Sequence, residues 1–124
     1  MPRLLLRTYA AVRRAAPHAR LVVLGYERLF EPTAECADPY APNLHRRTKL
    51  NQGADVLDGV IAATARLAGV RYVDVRGSFA GHALCAQDSW INGPEVGLAN
   101  GAYHPTAVGY ARGYLPPLLA AVRR

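Results

Sequence analysis

Two short apolar runs, "RLVVLGY" at 20–26 and "VRYVDVRG" at 70–77, are separated by a long stretch with helical periodicity. No other feature constrains the fold as much. Each run is continuous rather than alternating, which suits a strand covered on both faces in a parallel sheet. Between them, "RRTKLNQGADVLDGVIAATARLAGV" places Leu50, Ala54, Leu57, Ile61, Ala65 and Ala68 at steps of three and four, the pattern of an amphipathic helix ending near Gly69. Residues 3–15 put Leu5, Tyr9 and Val12 on one helical face, and Pro17 stops that run. A closing helix is expected after His104, with Pro105 at its first position and a kink or restart at Pro116 and Pro117. The order helix, strand, helix, strand, helix is that of an α/β fold with a parallel sheet. Two strands are too few for a doubly wound sheet and leave an edge unpaired. The chain therefore reads, over 1–124, as the last two strands and flanking helices of one larger domain. It holds no internal repeat and no shift of composition to mark a boundary.

Composition narrows the function classes. The chain is 51% hydrophobic and 19% charged, which is globular rather than disordered. A net charge of +6 raises the question of nucleic acid. The cations argue against it: fourteen Arg and Lys49 are scattered as singles and pairs, without a run of like charge or interleaved aromatics. No apolar run approaches the roughly 18 residues of a membrane span. Arg7, Arg13 and Arg14 interrupt what would be the apolar centre of a leader, so the chain as it stands is expected to carry no export signal. Cys36 and Cys85 are too few and too isolated for a zinc site, and no metal or cofactor is expected. Taken alone they are either one disulfide or two buried thiols.

The stretch "NGAYHPTAVGYARGY", 100–114, sets His104 between small residues and a proline, at the mouth of the closing helix. Position alone is also compatible with a surface polar group at a helix start. The wider pattern decides more. "LVVLGYERLF", then "LNQGADVLDGVIAATARLAGVRYVDVRGSFAGHALC", "DSWING" and "YHPTAVGY" resemble the C-terminal half of the SGNH/GDSL hydrolases, the bacterial secreted lipase and esterase branch in particular. The resemblance runs from about Leu5 to Tyr114 and is most specific in "YHPTAVGY".

That resemblance implies a partial flavodoxin-like sheet, the complete one having about five parallel strands. It implies that His104 is the general base of a serine ester hydrolase, taking the serine proton during attack and returning it to the leaving alcohol. The residue three positions before the histidine, an aspartate in many relatives, is Gly101 here; its carbonyl is the candidate for holding the imidazole, which favours a Ser-His dyad over a triad. Asp88 is the nearest upstream acid and reads as a loop group around "QDSWING". The Gly-Asp-Ser and Gly-x-Asn-Asp blocks are absent, and neither Ser78 nor Ser89 stands in such a context. His82 reads as a loop hydrogen-bonding group or a pocket residue, and Trp90 as pocket lining or a cap on the core. Tyr110 and Tyr114 read as one packing face, while His18 and His45 carry no signal. Cys36 and Cys85 match loop cysteines that pair in secreted relatives, so the resemblance implies a disulfide and secretion. Two functions follow: part of a carboxylic ester hydrolase, inactive until an N-terminal half supplies the serine, or a catalytically silent interaction module with the same fold. The expected partners are an ester or lipid substrate once the domain is completed, and a second copy through the open sheet edge.

Overall fold

The two apolar runs yield only three residues of strand each, β1 at Val22–Leu24 and β2 at Arg71–Val73. They pair in parallel, with Val23 opposite Tyr72. The structure, a computed structural model, describes residues 1–123. Helix α1, Pro2–Ala15, precedes β1; α2, Leu44–Leu67, crosses from β1 to β2; and α3, Leu115–Val122, closes the chain. This is an α/β fold whose two-stranded parallel sheet carries helices on both faces. Val23 and Tyr72 join Tyr9, Ala65, Val70 and Ala68 in the core under α1 and α2. Leu24, one residue on, points to the other face, where it meets Tyr114, Leu115 and Leu118.

Helix α2 departs from the expected pattern at its start. Asn43 caps it by accepting the Arg46 amide at 3.0 Å, so it begins at Leu44 rather than at Arg46. Leu50 is exposed, and Arg47, Asn51 and Asp58 take inward positions along the helix before Ile61. These polar groups face loops rather than the sheet, and loop backbone offers them carbonyls and amides. Asn51 brackets Phe30 with two hydrogen bonds, its amide donating to the carbonyl and its carbonyl accepting the N–H. Asp58, buried, accepts the Tyr26 amide at 2.8 Å, and burial pushes its carboxyl above the usual carboxylate range. Arg76 ties Asp55 of α2 to Asp74 after β2, and Arg28 after β1 also holds Asp55. Hydrogen bonds from Arg28 and Arg76 keep Asp55 and Asp74 low. At the far end Arg13 of α1 donates to the Ala68 and Gly69 carbonyls, satisfying the end of α2.

The closing helix begins later than expected. Pro105 is bridged to Ile91, and Thr106 Oγ1 accepts the Gly109 amide, so helical structure starts at 107. His104 therefore lies in the segment before the cap, not at the helix mouth. The restart expected at Pro116 and Pro117 appears as a change of helix type, from π to α, at Leu115. A π-helical stretch, Gly109–Tyr114, precedes them, and the Leu115 amide reaches back to the Tyr110 carbonyl. Both prolines then fall in the first turn of α3, where a missing N–H costs nothing.

Phe79 joins this helix to the loops. It is 2% exposed, edge-on to Trp90 and to Tyr114 at centroid distances of 6.0 and 5.5 Å. Its ring fits because Gly109 and Gly113 leave a notch: a Cβ at Gly113 would collide with the ring, and one at Gly109 with the Trp90 carbonyl. Gly113→Ala is expected to cost about 1–3 kcal/mol in urea unfolding. Gly53→Ala, in the interior of α2 with open space around it, should instead stabilise by about 0.5–1 kcal/mol. Equal effects at the two glycines would remove the notch from the account.

Candidate active site

The segments after β1 and β2 carry every residue singled out by sequence, and they meet at the carboxyl ends of the strands. A parallel bridge from Phe30 to Leu84 joins the two, with the Leu84 amide donating to Leu29 and the Glu31 amide to Leu84. Cys36 and Cys85 are linked by a disulfide, which fastens the same two segments covalently.

His104 is held by its backbone from both sides. The Asn92 amide donates to the His104 carbonyl at 2.9 Å, and the His104 amide donates to Gly101 at 3.0 Å. The flanking residues complete a short antiparallel ladder: the Thr106 amide donates to Trp90, and the Tyr103 amide to Asn92. The turn preceding His104 needs left-handed backbone at two positions, Gly101 at φ +88° and Tyr103 at φ +65°. Glycine adopts that region freely, but tyrosine rarely does and is held there by the ladder. The imidazole itself is exposed, and no hydrogen bond reaches its ring among the described residues. A fixed backbone thus presents a free ring.

The Gly101 carbonyl, expected to hold that ring, accepts from the His104 amide and from Asn92 Nδ2 at 3.3 Å. A carbonyl oxygen has two lone pairs and both are engaged. Gly101 positions His104 by forming the turn, while Asn92 pins the turn from the side. Asn92 was not singled out by sequence. Its amide works across nine positions, and nothing local to "DSWING" announces that.

His82 and Trp90 form a pair of their own. The rings stack at 3.7 Å with planes 7° apart, and the Trp90 amide donates to the His82 carbonyl. Asp88 binds both: its carbonyl lies 3.0 Å from His82 Nδ1, and its carboxylate accepts Trp90 Nε1 at 3.2 Å. Trp90 is 8% exposed and belongs to the core with Phe30, Phe79 and Leu84. Neither serine is hydrogen-bonded to His104 among the described residues. Ser89 Oγ is engaged by the backbone of Ile91, and Ser78 lies in the 3₁₀ turn Arg76–Phe79, its hydroxyl not bonded to His104. Tyr114 is part-buried and donates its hydroxyl to the buried Glu27, with burial the largest cause of its raised pKa; Tyr110 packs on it but is exposed. Among the described residues no cluster of side chains could hold a metal ion, and no helix is long and apolar enough to cross a membrane.

Comparison with known proteins places this geometry. Residues 3–112 match the model of the GDSL-like Lipase/Acylhydrolase family. The chain is 37% identical to a lipase of Streptomyces rimosus over 98% of its own length and 44% of that protein's. It is 36% identical to Lipase 1 of Streptomyces coelicolor, over 91% of this chain and 41% of the relative. Two solved structures superpose closely: the extracellular lipase of Streptomyces rimosus, at a TM-score of 0.87 and 38% identity, and phospholipase A1 of Streptomyces albidoflavus, at 0.88 and 39%. Each is covered over 50% of its chain, and this chain over 97% and 96%. The chain thus spans about half the length of the relatives it matches.

The turn at His104 depends on a donor at position 92, which sets an order for two substitutions. Asn92→Ala removes one hydrogen bond and should cost about 0.5–1.5 kcal/mol in urea unfolding. Asn92→Asp should cost more at pH 7, because its carboxylate can only accept and faces the Gly101 carbonyl. If aspartate proves the milder change, Asn92 does not hold the turn.

Proposed function

The chain belongs to the GDSL-like lipase/acylhydrolase family, and on that premise we propose that it is the C-terminal portion of a carboxylic ester hydrolase domain with His104 as its catalytic histidine. The observation that carries the reading is the pairing of a rigid backbone with a free ring at His104. A general base must keep its position while its nitrogen stays available to the proton it takes. In this reading a serine from the missing half attacks an ester carbonyl as the imidazole removes its proton. The imidazolium then returns that proton to the departing alcohol. The acceptor for the second ring nitrogen is supplied elsewhere, since the Gly101 carbonyl is already filled.

The nucleophile and the oxyanion donors lie outside this chain, in an N-terminal half that the relatives' greater length accommodates. The surface left for that half is apolar. Among the described residues β1 has no second partner strand, and beside it Leu24, Tyr26, Tyr110, Leu115 and Leu118 line an open groove of about 440 Å³. Tyr26 and Tyr110 are 53% and 54% exposed and adjoin Leu115, itself 45% exposed, in one apolar patch. Without the N-terminal half, the same edge favours self-association. The disulfide and the extracellular relative support secretion of the assembled protein.

The purified chain is expected to show no turnover on short-chain nitrophenyl esters. Co-expressed with an N-terminal fragment carrying the serine and oxyanion blocks, it should hydrolyse them, and His104→Ala in that pair should lower kcat by several orders of magnitude. An active pair indifferent to His104→Ala would refute the assignment. A soluble, tightly bound pair with no activity would favour the silent interaction module instead.

A further inference from the structure

Arg47 is 3% exposed, and among the described residues no carboxylate pairs with it. Its guanidinium is always charged. Nε donates to the Pro42 carbonyl at 3.0 Å, Nη1 to Thr33 at 3.0 Å and Nη2 to Ala34 at 3.1 Å. The remaining contact is Nη1 to Cys85 Sγ at 3.4 Å. A buried cation held only by neutral acceptors is costly, and a disulfide sulfur accepts weakly. A thiolate at Cys85 would supply the missing negative charge without moving any other group. Cys36 has no such neighbour: Arg47 touches the segment on both sides of it, at Ala34 and Pro42, and not its sulfur.

We propose that Cys36–Cys85 is a reversible, thiol-addressable bond in which Arg47 makes Cys85 the leaving sulfur. A small-molecule thiolate attacks Cys36 Sγ and forms a new S–S bond to it. The electron pair of the Cys36–Cys85 bond departs with Cys85, which becomes a thiolate against the Arg47 guanidinium. A second thiolate attacks the external sulfur of the mixed disulfide, releasing a small-molecule disulfide and leaving Cys36 as a thiolate that takes up a proton from water. A lower leaving-group pKa speeds the first step, which selects the sulfur attacked. Cys36 and Cys85 are both part-exposed, and a cleft of about 390 Å³ lies beside the bridge, lined by Cys85 and by Ala37, next to Cys36, but not by Cys36 itself.

Reduction does not release the segment. Thr33, Ala34 and Pro42 stay on Arg47, the Ala83 amide stays on Glu31 Oε1, and the Phe30–Leu84 bridge is independent of sulfur. Both sulfurs therefore remain neighbours, and the small-molecule disulfide reverses the exchange: the Cys36 thiolate takes one of its sulfurs and releases a small-molecule thiolate, and the Cys85 thiolate then attacks Cys36 Sγ, closing the bond and releasing the second small-molecule thiolate. The inference concerns this chain alone and stands whether or not His104 is catalytic.

The test uses the oxidised full chain and β-mercaptoethanol, quenched with acid and mapped by peptide mass spectrometry. The mixed disulfide is expected on Cys36 over Cys85 by about tenfold or more. In the reduced, folded chain, the alkylation rate of Cys85 by iodoacetamide should reach its half-maximum at least about one pH unit below that of Cys36, a difference abolished in concentrated urea. Arg47→Lys should retain the difference and Arg47→Met remove it. If Arg47→Met fails to fold, the comparison of folded with urea-unfolded wild type decides. Mixed disulfide mainly on Cys85, or coincident pH profiles in the folded chain, would overturn the proposal.

Discussion

The Phe79 ring, seated in the notch left by Gly109 and Gly113, is the contact on which the candidate site depends. It fixes three elements at once: the 3₁₀ turn after β2 that carries it, the closing helix, and Trp90. Trp90 opens the ladder that runs from 90–92 to 103–106, so a shift of the ring would move Ile91 and Asn92 and, through them, His104. The side chains between Phe79 and His104 are packed or hydrogen-bonded at each step. The imidazole is the exception: it is exposed and no hydrogen bond reaches its ring among the described residues.

The alternation of elements was legible because each strand is a continuous apolar run and α2 has a clear period. Their exact ends were not. Strands of three residues are shorter than the apolar runs that contain them: the Gly25 amide still donates to Val73 of β2, but the Gly25 carbonyl accepts from the Tyr114 hydroxyl and the Asp74 carboxylate from the Arg76 amide. The stripe on α2 was read as apolar throughout, yet Arg47, Asn51 and Asp58 take inward positions before Ile61. Hydropathy cannot register a helix face that binds loop backbone, because the partners are carbonyls and amides distant in sequence. The family was legible through the block around His104. Asn92 and the left-handed Tyr103 were not, since both follow from a ladder formed only after the chain has folded.

The same separation of roles recurs in the two long segments after the strands. Apolar residues such as Phe30 and Leu84 place them, while Arg47, Asn51, Asp55 and Arg76 hold their backbones to one another and to α2. Functional loops built this way stay ordered without a strand of their own. Among the described residues β1 pairs with β2 alone, and an apolar groove runs alongside it.

The central claim is that this half preassembles the histidine segment while leaving its sheet edge unfinished. Amide hydrogen exchange on the isolated chain measures both together. The amides of Asn92, Tyr103 and Thr106 should be protected at least about tenfold more than the β1 amides that do not face β2, because ordered ladder bonds must open before exchange. Ladder amides exchanging as fast as those of the open edge would mean that the His104 segment is not built by this chain, and the account would fail.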